Sequence, residues 1–316
     1  MGIGLRGRGE VLDGDEACRI VTRGHPRPGS GSWAGAGRAR PSRGGGRPFP
    51  GYCRGMTTEP KDSLEDLDPF DLFDAEAARL DRYFSGLGEE GWRRPSRAEG
   101  WSVRDVLGHL AGEELYNHAC LDDDIDGFTA MLRREGAGEG FDGFNAWCVE
   151  RRRHLPVAEV LQEWRRENGD TRGRMRALGR DASLPTFAGP YPVGSQTFHY
   201  ASEYATHADD VGAPVAPDEA AARARWRARV GVFVLAEQNA EARAELVGTG
   251  GAGDTGSAGN TGDTGSGGNG GNAVRVHAYG TSQELSLPVF VEATVGRLPE
   301  DHPMEARLRD ALRCLA

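Results

Sequence analysis

Residues 155–179, LPVAEVLQEWRRENGDTRGRMRALG, constrain the fold most. Val157, Leu161, Trp164, Asn168, Thr171, Met175 and Leu178 recur at alternating intervals of four and three. On a helix of 3.6 residues per turn that spacing draws one stripe, the seam by which a helix joins a bundle. Two members of the stripe are polar. Asn168 and Thr171 read as a solvated stretch of the seam, the other reading being that they face an internal cavity. Three further segments carry helical patterning. In DLFDAEAARLDRYFSGL, residues 71–87, Leu72, Phe73, Ala77, Leu80, Phe84 and Leu87 fall at helical spacing. In GWSVRDVLGHLAGEELYNHA, Ser102 and Asp105 form a capping box, and Val103, Val106, Leu107, Leu110 and Leu115 make an apolar stripe with His109 at its border. After the break at LPTFAGPYPVGSQ, Ser195 can cap a last helix running to about Val211. The expected fold class is therefore mainly α, a four-helix bundle over residues 62–212.

Residues 213–316 read as a small α+β appendage. DEAAARARWRARVGVFVLAEQNAEARAEL suggests a helix, VRVHAY and QELSLP a hairpin around Gly280, Thr281 and Ser282, and FVEATVGRL and MEARLRDALRCL two short helices. Two stretches are excluded from the core. Residues 1–61 form a basic tail rich in Gly, Arg and Pro, and the insert 248–272 is Gly-rich; both are expected to be disordered. Met56, followed directly by acidic, helix-like sequence, is an alternative start. The first 55 residues hold ten Arg against four acidic residues, so the remainder carries −16 of the net −10. An acidic body argues against a nucleic-acid partner. No secretory signal and no apolar run approaching the ~18 residues of a membrane span are present, so the expectation is a cytoplasmic protein with no membrane partner. Five scattered cysteines without a C-x-x-C pair fit reduced thiols rather than a disulfide framework.

HYASEYATHADD, residues 199–210, places His199, Glu203 and His207 at successive intervals of four. Residues at i and i+4 differ in direction by only ~40°, so neighbouring pairs can chelate one ion. All three on one straight helix would stretch over ~12 Å, too long for a tetrahedral site with ~2 Å bonds. A third ligand should come from another helix, and His109 is the natural candidate. Two imidazoles and one carboxylate would leave a fourth position open in a solvent-accessible pocket, as in catalytic zinc sites. Against this stands the background of the same spacing, at Glu114 with His118 and Glu150 with His154, where exposed pairs merely support a helix.

Other matches fail on their own terms. Asp122, Asp124, Asp126 and Gly127 begin like a calcium loop, but Arg133 stands where a bidentate Glu is required, leaving a solvated acidic loop. GTGGAG at 248–253 has no strand before it. Protease-type His-Glu-x-x-His, nucleophile-elbow and phosphate-loop motifs are absent from the sequence.

Trp101, Ser102, Asp105, His109 and Leu110, followed some ninety residues later by Glu203, His207 and Asp210, resemble the mycothiol-dependent maleylpyruvate isomerase family, within the wider DinB-like group of metal-binding four-helix bundles. The resemblance covers roughly residues 65–212. It implies a divalent metal, usually zinc, held by His109, Glu203 and His207, and mycothiol as thiol cosubstrate, with His199 a flanking residue. An actinobacterial host, which mycothiol implies, suits a basic set in which Lys61 is the single lysine. Asp210 is expected as an exposed helix-end acid or, alternatively, as the acceptor that orients His207; Asp105 is explained by capping. The expected activity is attack by a metal-held thiol on an electrophile, as isomerase or as thiol transferase. A non-catalytic metal-binding or stress-response module, or a zinc-water hydrolase at the same site, are the rivals. The family's larger second domain has no full counterpart in the short C-terminal part.

Overall fold

The computed structural model describes residues 64–138, 140–238, 241–247 and 273–315. The expected disordered tail and the Gly-rich insert lie outside them. The described chain is mainly helical: α1 (Pro69–Ser85), α2 (Glu89–Arg93), α3 (Val103–Leu121), α4 (Ile125–Glu135), α5 (Gly140–Arg152), α6 (Val157–Leu178), β1 (Ser183–Thr186), β2 (Gly189–Pro192), α7 (Val193–Val211), α8 (Pro217–Glu237), β3 (Ala242–Val247), β4 (Ala273–Ala278), β5 (Thr281–Ser286), α9 (Leu287–Thr294) and α10 (Ala306–Leu312).

Helices α1, α3, α6 and α7 form the bundle, with α1 laid along α7 and α3 along α6. Local chemistry starts the first two helices. Asp68 accepts from the Phe70 and Asp71 amides ahead of Pro69, a first-turn residue with no N–H to leave unpaired. Ser102 and Asp105 complete the expected capping box on α3. From there α1 buries Phe73, Ala77, Leu80 and Phe84 at intervals of four, three and four, each large side chain contributing about 1.5–3 kcal/mol. Phe73 meets the Tyr204 ring edge-on at 4.8 Å, and Phe84 meets Trp164 the same way at 5.8 Å.

Helix α7 is buried along almost its whole circumference, and Ala201, Ala205 and Ala208, spaced four and three apart, give it one small-residue face on which a neighbour can pack closely. Glycine does the same for α3. A Cβ on Gly112 would lie 2.3 Å from the Cβ of Cys148, so α3 and α5 approach one another closely there.

Several expectations are corrected. Leu115 is 38% exposed and lies off the core stripe. Asn168 and Thr171 are not a solvated stretch of seam; both are buried and donate hydrogen bonds to the buried Glu114 carboxylate, at 2.9 and 2.5 Å. Ser195 caps nothing, since α7 begins two residues earlier, at Val193. The segment before it folds as an antiparallel hairpin, β1 with β2, registering Ser183 opposite Pro192 and Thr186 opposite Gly189. Its tip places Phe187 face to face with Tyr116 at 5.2 Å.

Beyond the bundle, β3, β4 and β5 form an antiparallel sheet in that order, with Ala278 opposite Thr281 across the Tyr279–Gly280 turn. Gly280 takes φ 78°, which suits a residue with no Cβ. Val274, Val276 and Leu285 are buried on the sheet, and α8 buries Trp226, Val230, Phe233 and Val234. The buried apolar core continues from the bundle into this C-terminal part. Arg97, ahead of α3, pairs with Glu292 of α9. No helix among the described residues is long and apolar enough to cross a membrane.

Candidate metal centre

Helix α3 places His109 about two turns beyond its cap, and α7 brings Glu203 and His207 onto one face by their i, i+4 spacing. The two helices are clamped in register by a second buried carboxylate. Glu114 accepts from Asn117, Asn168, Thr171 and Tyr204, and Trp164 Nε1 in turn donates to the Tyr204 hydroxyl at 3.0 Å. Four donors match the acceptor capacity of one carboxylate, so this charge is held inside the bundle without an unmet partner. Glu114 is thus a buried acceptor, not the exposed helix partner of His118 that its spacing suggested.

With that register set, His109, Glu203 and His207 converge, one donor atom from each lying within 4.8 Å of the others. The Glu203 Oε1 is 3.3 Å from His109 Nε2 and 3.0 Å from His207 Nε2. Tetrahedral bonds of about 2.0–2.1 Å place neighbouring donors about 3.3 Å apart, which the two distances from Glu203 match. The buried His109 Nδ1 has no hydrogen-bond partner among the described residues. All three side chains are almost completely covered, with residue exposures of 2%, 4% and 3%. The donors therefore sit under a roof, where a pocket open to solvent was expected. The Trp101 ring forms part of that roof, 4.9 Å from the His109 ring and 6.4 Å from that of His207.

The two imidazoles differ in electrostatics. Burial holds His109 neutral, down to about 4, the Glu203 contact only partly opposing it. Burial also acts against a charged His207, but hydrogen bonds to Asp210 and Glu203 outweigh it and raise the ring to about 9. Glu203 is disfavoured as an anion by burial, yet its two imidazole contacts bring it down to about 2.

Asp210 corrects the exposed-acid expectation. Its side chain is fully covered, with Oδ2 3.1 Å from His207 Nδ1, and Arg297 donates to both carboxylate oxygens at 2.9 and 2.8 Å. A chain of contacts thus runs from Arg297 through Asp210 to the far nitrogen of His207, the kind of outer support that fixes a metal-binding imidazole's tautomer and direction. Arg297 and Glu113 escape sequence reasoning. Arg297 arrives 87 residues after Asp210 with no pattern to announce it; Glu113, four residues after His109, had the i, i+4 spacing as its only signal. Glu113 Oε1 is 3.4 Å from His109 Nε2, and burial together with the Glu203 and Glu114 carboxyls pushes its pKa well above the usual carboxylate range.

The remaining sequence candidates fall elsewhere. His199 is buried apart from the convergence, 3.2 Å from the Tyr191 hydroxyl. Asp105 caps α3 and accepts from Arg153 Nε at 3.0 Å. Asp124, in the calcium-like segment, caps α4 through the Gly127 amide.

Residues 73–212 match the family model described as the mycothiol maleylpyruvate isomerase N-terminal domain. The domain carries His109, Glu203, His207, Asp210 and Glu113, whereas Arg297 reaches the centre from outside it. A crystal structure of a mutant mycothiol-dependent maleylpyruvate isomerase is similar over 57% of this chain and 72% of its own, at 13% identity and a TM-score of 0.39. No curated protein sequence matches the chain.

Proposed function

We propose that the chain is a zinc-dependent enzyme of the mycothiol-dependent maleylpyruvate isomerase type, acting in the cytoplasm on a small electrophile with mycothiol as cosubstrate. The observation that carries this reading is the convergence of His109 on α3 with Glu203 and His207 on α7, inside the segment that matches the family. His109 and His207, each through Nε2, and the Glu203 carboxylate would hold the ion. A bound divalent ion supplies a Lewis-acid position that lowers a thiol's pKa, so that thiolate is present near neutral pH.

The protein's residues do the rest. Asp210 accepts at His207 Nδ1, so the proton that a bound ion would displace is the one on Nε2, and Arg297 holds Asp210 in place. Trp101 covers the imidazoles with an apolar ring that keeps bulk water off them. In the isomerase version the thiol sulfur bonds to one carbon of a cis double bond whose π electrons move toward the conjugated carbonyl. Rotation about the new single bond and re-expulsion of the sulfur return the trans alkene. In the transferase version the carbanion is protonated and the thioether is kept.

The test is metal analysis of the purified full chain, followed by turnover of maleylpyruvate with and without mycothiol. Bound zinc with thiol-dependent isomerisation, or with thioether formation from an electrophile, supports the reading. Thiol-independent hydrolysis would move the assignment to a zinc-water hydrolase, and stable zinc binding with neither activity to a non-catalytic module.

A further inference from the structure

The elements that cover the three donors are not equally fixed. Helices α3, α6 and α7 are tied together through the buried Glu114 carboxylate, and Asp210 is held by two nitrogens of Arg297, so entry from either side would break buried polar contacts. Trp101 is different. Its ring lies 4.9 Å from that of His109 and 6.4 Å from that of His207, yet it is only half-buried and stands on the non-helical segment 94–102 between α2 and α3. Ala98 is the one buried residue of that segment, so little beyond the indole seats it in the core. The segment also folds back on itself. Ser96 donates from its amide and its hydroxyl to the Trp101 carbonyl, at 2.8 and 2.9 Å, and the Trp101 amide donates to the Ala98 carbonyl at 3.1 Å. Both chain neighbours of Arg97 therefore hold the Trp101 backbone. The Arg97 guanidinium in turn donates to both oxygens of Glu292 on α9 and to the Arg297 carbonyl, and its amide donates to the Asp210 carbonyl at 2.9 Å. Gly100, directly before Trp101, takes φ 76°, and an added Cβ there would meet nothing within 4 Å, so the chain can turn at this point without steric cost.

We propose that residues 96–101 form a lid over the centre, with the Trp101 ring as its cover, Gly100 as its pivot and the Arg97–Glu292 pair as its latch. The proposal rests on the metal reading for what passes beneath the lid, an ion and then a small thiol; the lid itself is a property of the fold. The latch suits the task. Its side chains are 44% and 25% exposed, and an ion pair that water and salt can reach is weak enough to open and close again. Opening uncovers His109 first, because its ring is the nearer of the two to the indole. Closure then excludes water from the groups beneath.

The experiment uses the full chain, stripped of metal, as wild type, Arg97→Ala, Glu292→Gln and Trp101→Ala, labelled briefly with diethylpyrocarbonate at neutral pH and mapped by peptide mass spectrometry. The reagent modifies imidazoles, so each histidine reports its own access. His154, 83% exposed, calibrates the reagent, and His199, buried beside Tyr191, reports opening of the fold as a whole. Either latch variant should raise the His109 rate relative to His154 about two- to fivefold, the scale of a partly exposed ion pair, and leave His199 unchanged. Trp101→Ala should raise it further. Added salt should speed His109 labelling in wild type and not in the latch variants. His109 and His199 rising together in the latch variants would show that the pair holds the fold and not a lid; an unchanged His109 rate in both would show that it latches nothing; an unchanged rate in Trp101→Ala would remove the indole as the cover. Each of these overturns the proposal. Zinc release from the loaded chain to excess chelator should quicken in the latch variants by the same factor as the labelling. A chain that takes up no zinc but shows the expected labelling keeps the lid and overturns the metal reading alone.

Discussion

Replacing Asp210 by Asn preserves volume while removing the charge that joins the C-terminal part of the chain to His207. The Asp210 carboxylate is fully covered and serves His207 Nδ1 at 3.1 Å together with two nitrogens of Arg297 at 2.9 and 2.8 Å. An amide offers one oxygen, so its NH₂ group must confront either the Nδ1–H or the guanidinium, donor against donor. Two losses follow. Without its outer partner His207 should bind zinc about 10–100-fold more weakly, equivalent to about 1.4–2.7 kcal/mol. Arg297, 11% exposed, would be left without its buried counter-charge, which costs about 3 kcal/mol at the lower end of the range for breaking such a pair. For a folded unit of this size that corresponds to a melting temperature lower by roughly 6–12 °C. Chelator competition reads the first loss and thermal unfolding of the metal-free chain followed by circular dichroism reads the second. An Asn variant that binds zinc within about twofold of wild type and melts at the same temperature would refute the reasoning, because the chain from Arg297 to His207 would then support neither metal nor fold.

Further consequences are testable with less apparatus. Since His207 is raised to about 9 while His109 is held near 4, zinc uptake between about pH 5 and 8 must displace at least the His207 proton; affinity should rise at least about tenfold per pH unit, and a flat profile by calorimetry contradicts the proposed ligand set. Gly112→Ala should lower stability by about 1–3 kcal/mol through overpacking against Cys148, whereas Gly173→Ala on α6, with nothing within 4 Å, should raise it by up to about 1 kcal/mol; equal effects in thermal melts would contradict the close approach of α3 and α5. Burial raises the Cys120 thiol to about 12 and that of Cys148 further still, so both should resist iodoacetamide at pH 8 until the chain is unfolded, and rapid alkylation of either in peptide maps of the native protein would show that the bundle opens there.

The distance between the patterned helices and the finished site is instructive. The cap at Ser102 and Asp105 was legible because it involves residues three apart, and the buried face of α1 because helical spacing reports which side of a helix avoids water. The pair Glu203 and His207 was legible for the same local reason. The hairpin of β1 and β2 was not, since four-residue strands containing Pro185, Pro190 and Pro192 carry neither strong alternation nor strand propensity and are held by the surfaces they contact. Asn168 and Thr171 were misread because polarity alone does not say whether the partner is water or a buried carboxylate.

By itself, then, the sequence determined the four bundle helices, most of their buried faces and the residue types able to bind an ion, all of which depend on neighbours within a turn or two, whereas α4 and α5 formed where it suggested an acidic loop and a Gly-rich connection. Tertiary structure decided what those faces meet: that Glu114 locks α3 to α6 and α7, that Asp210 is covered and joined to Arg297, and that Glu113 stands beside His109. The physical reason is one of range. Periodicity records how often a side chain leaves water, while the identity of its partner depends on contacts 54 to 94 residues apart along the chain, as with Asn168 and Glu114 or Glu203 and His109, and those form only when the helices have packed.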